Sequence, residues 1–493
     1  MGNTESYELR DNEFKRVVEN FDNIVETFTS LPSETASSSE ILILNFKPNV
    51  TYQNQSISQA FLKIYFNPTH SNFPEIPIVF NVTSATSGLY ELKVYKDRIK
   101  QLTDRGVCPF FVKFLGGTDN LPYTELERIY LKVLSKKLPA NKSIIRIIRN
   151  LIYLYSGLQK RPALTTESRT LPENFTKDTF NNAALAVNVN KKNFVFVATM
   201  LEYIDTNVTK TFSKELFDNQ TLTPKLWAIV FQIALACYAL SLARVTHNDL
   251  HHNNIFIQQT NSDQLYVFRV EDAYYKIVTS DKVKLFDFDR AYSFGHGDNP
   301  LNNTISSRRN RNIEQLDIVK LLCYVYKKFL DDDIFNIFIP ANNNVLKEYW
   351  KQVYRTGRCF LRVGQEQHAV PESEYDKLLK MPEIIKNIAQ KSSYYVVMDD
   401  YNGMDKNNFY LLSKNTFDEY GNLNVDVLRA MKEQSFEMYD RELLDLINNY
   451  STEEYKNVNM EVERLTLENK MLKDELMECN KKLNEHGLKR KKN

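Results

Sequence analysis

The stretch that decides the fold is residues 245–257, Val-Thr-His-Asn-Asp-Leu-His-His-Asn-Asn-Ile-Phe-Ile. It follows a long apolar segment, residues 226–243, and ends in a short run of apolar residues. The first pattern is typical of a buried helix and the second of a strand. Between them, Asp249 and Asn254 stand five positions apart in a polar loop. We therefore predict a helix–loop–strand unit whose loop presents a carboxylate and an amide.

A second strand pattern, residues 283–289 (Val-Lys-Leu-Phe-Asp-Phe-Asp), ends in the carboxylates of Asp287 and Asp289. A buried carboxylate such as Asp287 is costly unless a metal or strong donors pair with it. Phosphoryl transfer uses these groups together: one carboxylate orients the acceptor hydroxyl and takes its proton, and an amide oxygen and a second carboxylate hold Mg²⁺. Asp249, Asn254 and Asp287 supply that set.

His247, Asp249, Leu250 and Asn254 reproduce the pattern H-x-D-L-x-x-x-N, and Asp287-Phe288 reproduces the start of D-F-G. The chain resembles the protein-kinase superfamily, and more narrowly the divergent serine/threonine kinases of large DNA viruses of the iridescent-virus type. The resemblance implies an α+β, bilobed protein-kinase-like fold with a small β-rich N-lobe and a large helical C-lobe. It also implies ATP and Mg²⁺ as cofactors, a protein substrate, Asp249 as the catalytic base, and Asn254 and Asp287 as metal ligands.

Lys63 lies inside an apolar strand pattern, residues 60–66, where a lysine needs a partner for its amine. By resemblance to the V-A-I-K strand of kinases, Lys63 would bind the nucleotide phosphates and pair with a Glu on the following helix. Glu91 is the candidate for that Glu. Lys93 is a rival for the phosphate-binding lysine, but its neighbours have helical period, so we prefer Lys63. The alternative is that Lys63 extends its amine to solvent from an edge strand.

Residues 194–201 form another strand pattern, and Glu202-Tyr203-Ile204 follow it. In kinases this place is the hinge, so the resemblance implies that Glu202 and Tyr203 bind the nucleotide. Asp317, on an apolar helix, is the candidate for the buried Asp that ties such a helix to the catalytic loop.

Several positions depart from the kinase pattern. The candidate phosphate-covering loop, residues 33–40, has serines but no glycine, and an exposed linker explains it equally well. His251 replaces the catalytic-loop Lys, Asp289 replaces the glycine of D-F-G, and no A-P-E motif follows between Arg290 and Glu314. His251 and the D-F-D sequence are also similar to aminoglycoside and choline kinases. Two alternatives therefore stay open: a small-molecule kinase, and a catalytically weak pseudokinase scaffold.

Hydrophobic periodicity divides the chain into parts. The predicted organisation is a polar helical extension (1–24), an N-lobe (25–204) with an insertion (118–190), a C-lobe (205–440), a coiled coil (452–488) and a basic tail (489–493). Helical spacing of apolar residues extends the first helical prediction to about residue 30. The N-lobe predictions are strands at 41–46, 60–66 and 110–115, the last ending at Gly116-Gly117, a loop at 67–88, and an amphipathic helix from Leu89 to near Gly106.

The tail alternates apolar residues at steps of three and four from Tyr455 to Leu483. Asn469 takes an a position in this heptad seam, an arrangement that favours parallel dimers. We predict a homodimer through this coiled coil. The alternative is a single amphipathic helix that folds onto its own domain.

Composition and the N-terminus bear on partners and compartment. The net charge of +1 gives no basic excess for nucleic acid, and the five cysteines have neither metal-site nor disulfide spacing, which favours a reducing compartment. We predict a cytoplasmic protein without a signal peptide, in the host cytoplasm if it is viral, or packaged in the virion. Residues 1–6 fit the N-myristoylation pattern, which predicts weak membrane association. Residues 226–243 are long enough for a membrane span, but we predict a buried helix because the segment leads directly into the loop of Asp249.

Overall fold

The computed structural model describes residues 7–9, 21–30, 40–53, 55–67, 82–134, 195–205, 209–299, 311–356, 360–363, 366–392 and 408–435. Several predictions lie outside the described residues: the 33–40 loop except Glu40, most of the 118–190 insertion, the coiled coil, the basic tail and Gly2. The chain divides into two compact units, one of residues 1–396 with 407–429 and one of 397–406 with 430–493. In the second unit the structure describes residues 430–435, which are helical.

The described strands are β1 (Tyr7–Glu8), β2 (Val25–Ser30), β3 (Glu40–Phe46), β4 (Val50–Tyr52), β5 (Gln55–Ser56), β6 (Gln59–Phe66), β7 (Phe114–Pro122), β8 (Val195–Glu202), β9 (Lys210–Thr211), β10 (Val245–Thr246), β11 (Ile255–Val270), β12 (Ala273–Leu285), β13 (Tyr292–Ser293), β14 (Phe360–Val363), β15 (Glu366–Ala369) and β16 (Phe409–Leu412). The described α-helices are α1 (Phe21–Ile24), α2 (Val82–Val94), α3 (Lys100–Asp104), α4 (Tyr123–Leu134), α5 (Phe212–Asp218), α6 (Pro224–Leu242), α7 (Leu316–Phe329), α8 (Phe335–Phe338), α9 (Asn344–Thr356), α10 (Glu372–Tyr375) and α11 (Met381–Lys391). The fold is therefore mixed α+β, with a sheet-rich N-terminal region and helices in the C-terminal half.

A five-stranded antiparallel sheet in the order β2-β3-β6-β8-β7 dominates the N-terminal region. Residues 41–46 of β3 alternate between half-buried and buried positions, as expected of a strand with one face in the core, whereas the interior residues of β8 are buried on both faces. The predicted strands at 41–46, 60–66 and 194–201 are confirmed as β3, β6 and β8. Lys63 lies on the central strand β6, opposite Ile41 of β3 and Thr199 of β8.

Two predictions for this sheet are wrong. Residues 25–30 form the edge strand β2 and are not helical, because Val25, Thr27 and Phe28 suit a half-buried strand paired with β3. The strand predicted at 110–115 starts at Phe114 and runs through the two glycines. Its register shifts between Phe114 and Gly116, the latter with φ +153°. Such a bulge gives a glycine a place inside a strand.

The helix that follows the sheet's central strand begins at Val82, earlier than predicted, so residues 82–88 are helical and not loop. It continues through a π-helical turn, Tyr95–Ile99, into α3. Arg98 in this turn is buried and donates to backbone and side-chain oxygens far along the chain: Phe294 O (3.0 Å), Tyr420 O (3.1 Å), Gly421 O (2.8 Å) and Asn422 Oδ1 (2.8 Å). The turn thereby fixes α2 against residues 294 and 420–422.

Helix α6 is the core of the helical part. Thr223 caps it, its hydroxyl accepting from Leu226 N at 3.2 Å, and Pro224 occupies its first position. Among the described helices, α6 has the length and apolar composition that a membrane span requires, and 89% of that window is buried inside the protein. It packs against α11 and β12, and the Gln232 amide bonds Asp281 O (2.8 Å) and Val283 N (3.0 Å).

Strands β11 and β12 form a long antiparallel hairpin whose length the sequence patterns do not reveal. β9 pairs with its base and β16 adds in parallel near its tip. At the base, Ile255 pairs with Leu285. The residues just before Ile255 and just after Leu285 are those of the two predicted site motifs, so the hairpin brings these motifs side by side.

Candidate active site

The loop before the hairpin and the residues after it are joined by hydrogen bonds. Phe286 N donates to Asn254 O at 3.3 Å, and His247 Nε2 lies 2.9 Å from Phe286 O. Because a carbonyl oxygen only accepts, Nε2 carries the proton. The buried His247 ring also packs 4.7 Å from the Phe288 ring. These contacts fix the two motifs as one unit.

Asp317 anchors the loop from helix α7. Its carboxylate accepts from His247 N (2.7 Å) and Asn248 N (3.0 Å), so the prediction that Asp317 ties its helix to this loop is confirmed. Asn248 has φ +62°, a left-handed conformation that Asn tolerates better than most residues. Burial raises the pKa of Asp317 more than His247 and the backbone donors lower it.

Lys63, Glu91 and Asp287 form an ion cluster in which Lys63 and Glu91 are buried and the Asp287 side chain is 32% exposed. The Lys63 ammonium lies 2.9 and 3.0 Å from the two carboxylate oxygens of Glu91 and 2.9 Å from Asp287 Oδ1. Tyr65 donates its hydroxyl to the second oxygen of Glu91. The Lys63 side chain is 9% exposed, so it does not reach solvent from an edge strand as the alternative required. Lys93 is exposed on α2.

The charges of this cluster depend on one another. Burial acts to lower the pKa of Lys63, but Asp287 and Glu91 outweigh it and hold the pKa well above its usual value. Burial acts to raise the pKa of Asp287, and Lys63 reverses this, so the pKa is low and the carboxylate is ionised. For Asp289 the balance is reversed: burial, then Asp287 and Glu91, raise its pKa well above the usual value, and Lys63 and Arg290 oppose them only in part. Like charges beside a buried acid favour its neutral form.

Asp249 lies beside two cations, Lys320 and Arg290, and the imidazole of His251. Lys320 Nζ is 3.6 Å from its Oδ1, and Arg290 Nε and His251 Nε2 are 3.6 and 3.9 Å from its Oδ2. The Asp249 side chain is 22% exposed, so a ligand can reach its carboxylate from solvent. Burial would raise the pKa of Asp249, but Lys320 and then Arg290 lower it below the usual value. A group of this kind can orient a hydroxyl as an ionised base.

Asn254 is buried beside Asp249, and its Nδ2 donates to Asp249 O at 3.0 Å. Because the nitrogen is used in this way, the amide oxygen is the atom left for a metal. Within the described residues, no group of three or more His, Cys, Asp or Glu side chains could hold a metal ion alone. Mg²⁺ in nucleotide sites usually takes only one or two protein oxygens and completes its shell with phosphate and water, which Asn254 and Asp287 fit.

Glu202 and Tyr203 occupy the end of β8. The Glu202 carboxylate accepts from Lys284 Nζ at 2.7 Å and from Lys113 N at 3.1 Å. Lys284 lowers the pKa of Glu202 against the opposite effect of burial. The Tyr203 ring packs 4.9 Å from that of Phe61 on β6. The side chain of Glu202 is thus used to join β8 to β12, and a nucleotide contact at Glu202 and Tyr203 stays a prediction.

The sequence patterns missed the cations that face Asp249. Arg290 follows the D-F-D sequence, and Lys320 stands three residues after Asp317 on α7. That spacing places Lys320 on the same helix face as Asp317, which was the available signal. Lys284 lies in an apolar strand pattern, as Lys63 does. A lysine in such a place needs a partner for its amine, so the sequence could have predicted an ion pair at Lys284 as well.

No protein-family model matches this chain, and no curated protein was found to be similar to it.

Proposed function

We propose that this protein is an ATP- and Mg²⁺-dependent phosphotransferase, a serine/threonine protein kinase with a bilobed, kinase-like arrangement. The observation that carries the proposal is the Lys63 ammonium held between Glu91 and Asp287 at 2.9 Å. Those groups come from β6, α2 and the residues after β12, which are distant in sequence. The sheet with α2 would form the small lobe, and helices α5 to α11 would belong to the large one.

Each residue has a role in this proposal. Lys63 would bind the nucleotide phosphates, and Glu91 would orient its ammonium. Asn254 and Asp287 would hold Mg²⁺, which when bound neutralises charge on the phosphates. Asp249 would accept a hydrogen bond from the acceptor hydroxyl at a carboxylate oxygen and then take its proton.

The test is transfer of radiolabelled phosphate from Mg²⁺-ATP by wild-type protein and Asp249→Asn, with casein-like proteins, aminoglycosides and choline as acceptors. We expect labelling of protein, and a loss of about 10²–10⁴-fold in Asp249→Asn because the base is removed. Asp272→Asn is the matched control, since the Asp272 side chain is 99% exposed and it lies in the turn of the β11–β12 hairpin.

Thermal-shift titration with ATP, with and without Mg²⁺, separates an enzyme from a scaffold. We expect a rise in melting temperature that requires Mg²⁺, because ligand binding stabilises the native state. Equal labelling by wild type and Asp249→Asn, or a melting temperature that ATP and Mg²⁺ leave unchanged, would contradict the proposal. Labelling of a small molecule alone would retain the phosphotransferase and change its substrate class.

A further inference from the structure

The loop that carries Asp249, residues 247–254, contains three histidines but no Lys or Arg. Its residue two positions after Asp249 is His251, whose Nε2 lies 3.9 Å from Asp249 Oδ2. Burial lowers the pKa of His251 more than Asp249 raises it, so the pKa lies below its usual value and the ring is largely neutral at pH 7. A neutral imidazole neither attracts nor fixes a carboxylate as an ammonium does.

Lys320 supplies an ammonium at this place from helix α7. Its Nζ donates to Asn248 O at 2.7 Å and lies 3.6 Å from Asp249 Oδ1. The side chain is 12% exposed, so solvent screens it little. One turn earlier on the same helix, Asp317 holds the backbone of His247 and Asn248. Helix α7 therefore holds both the loop backbone and the carboxylate that the loop presents.

We propose that Lys320 is a positioning residue for the phosphoryl transfer: from helix α7 it holds the Asp249 carboxylate, and the loop backbone at Asn248, in the orientation that the transfer requires. This rests on the proposed function, since the orientation of Asp249 matters for a hydroxyl acceptor. Asp249 also faces Arg290, His251, His247 and Asp287. Of its cations, Arg290 is 48% exposed, so Lys320 is the better shielded.

The test measures kcat and KM at one pH in the full-length chain for wild type, Lys320→Gln, Lys320→Arg and Lys327→Gln. The glutamine keeps a donor for Asn248 O but removes the charge. We expect kcat to fall about tenfold or more in Lys320→Gln while KM for ATP changes little, because a residue that orients the base acts on the transition state and not on substrate binding. Lys320→Arg should restore kcat, and substitution of the exposed Lys327 on the same helix should leave it unchanged.

A second measurement needs no turnover. Chemical denaturation at pH 7 compares wild type, Lys320→Gln, Asp249→Asn and the variant that carries both substitutions. Residues that interact give effects on the free energy of unfolding that do not add. Non-additive effects of Lys320→Gln and Asp249→Asn, with additive effects of Lys327→Gln and Asp249→Asn, support the proposal. Additive effects of Lys320→Gln and Asp249→Asn overturn it, as does a kcat that Lys320→Arg fails to restore in folded protein. A wild-type protein without transfer activity would contradict the proposed function alone, and the denaturation cycle would still decide whether Lys320 holds Asp249.

Discussion

The two sides of the candidate site have opposite charge balances. On one side, the Lys63 ammonium is set among Glu91, Asp287 and Asp289. On the other, Asp249 is the carboxylate set among Lys320, Arg290 and the half-buried His251. Charges in partly buried sites are stable only when balanced. We infer that the carboxylate-rich side is suited to receive a metal cation and the cation-rich side to receive the anionic group that passes to the acceptor.

The largest effect is expected from Lys63→Met, which removes the ammonium from the carboxylate-rich side. Glu91 and Asp287 would then be left without their common partner, and breaking a buried ion pair costs about 3–5 kcal/mol. We expect the free energy of unfolding to fall by about this amount in chemical denaturation, and phosphate transfer to be lost.

Lys93→Met is the control for this prediction, because Lys93 is an exposed lysine on α2 and was the rival candidate. If the two variants had the same stability and the same rate of transfer, the carboxylate-rich side would not depend on Lys63, and the comparison between the two sides would lose its basis.

An intermediate effect, of opposite sign, is expected from Asp289→Asn. The pKa of Asp289 is raised in the folded protein, by burial and then by Asp287 and Glu91, so the native state holds this proton more tightly than the unfolded chain. Stability therefore falls as pH rises above the ordinary carboxyl pKa, and continues to fall until the folded pKa is reached. We expect Asn to raise the melting temperature by about 2–4 °C at pH 8 and to change it little at pH 4.

Asp298→Asn, an exposed carboxylate a few residues away, controls for the loss of a charge in general. If both variants raised the melting temperature at pH 8 by the same amount, the effect would come from net charge and not from the crowding of carboxylates beside Asp287.

The smallest effect is expected from Arg290→Gln on the cation-rich side. The Arg290 side chain is 48% exposed and its Nε lies 3.6 Å from Asp249, so water and salt screen the interaction. We expect the transfer rate to fall less than about fivefold at low ionic strength, the range of exposed ion pairs. The difference should shrink as salt is added. A larger loss of transfer rate in Arg290→Gln than in Lys320→Gln would show that Arg290, and not Lys320, is the more important cation beside Asp249.

Local patterns predicted the parts of the site that lie in contiguous motifs. His247, Asp249, Asn254 and Asp287 were found because their spacing is short and regular, and Lys63 because an apolar strand isolates it. Glu91 followed from helical period on α2, and the Lys63–Glu91 contact is present. Each of these residues was predicted from the sequence pattern of a single helix, strand or loop.

Contacts between distant elements were beyond such patterns. Lys320 meets Asp249 only because Asp317 holds helix α7 against the loop, and Lys284 meets Glu202 only because β12 passes beside the end of β8. The hairpin β11–β12 was recognised from the sequence at residues 255–257 and 283–285 and not between them. The start of β7 was misplaced because Phe111 pairs with Leu285 of β12 through an isolated bridge and not with β8. Each depends on tertiary packing that one sequence window does not contain.

During translation, Arg98 is synthesised long before the residues whose oxygens accept its hydrogen bonds. Arg98 donates to Gly421 O and Asn422 Oδ1, 323 and 324 residues further along the chain. At about 5–20 residues per second, a ribosome needs on the order of tens of seconds to deliver those acceptors. Throughout that interval the π-helical turn after α2 lacks the part of its anchorage that Gly421 and Asn422 supply.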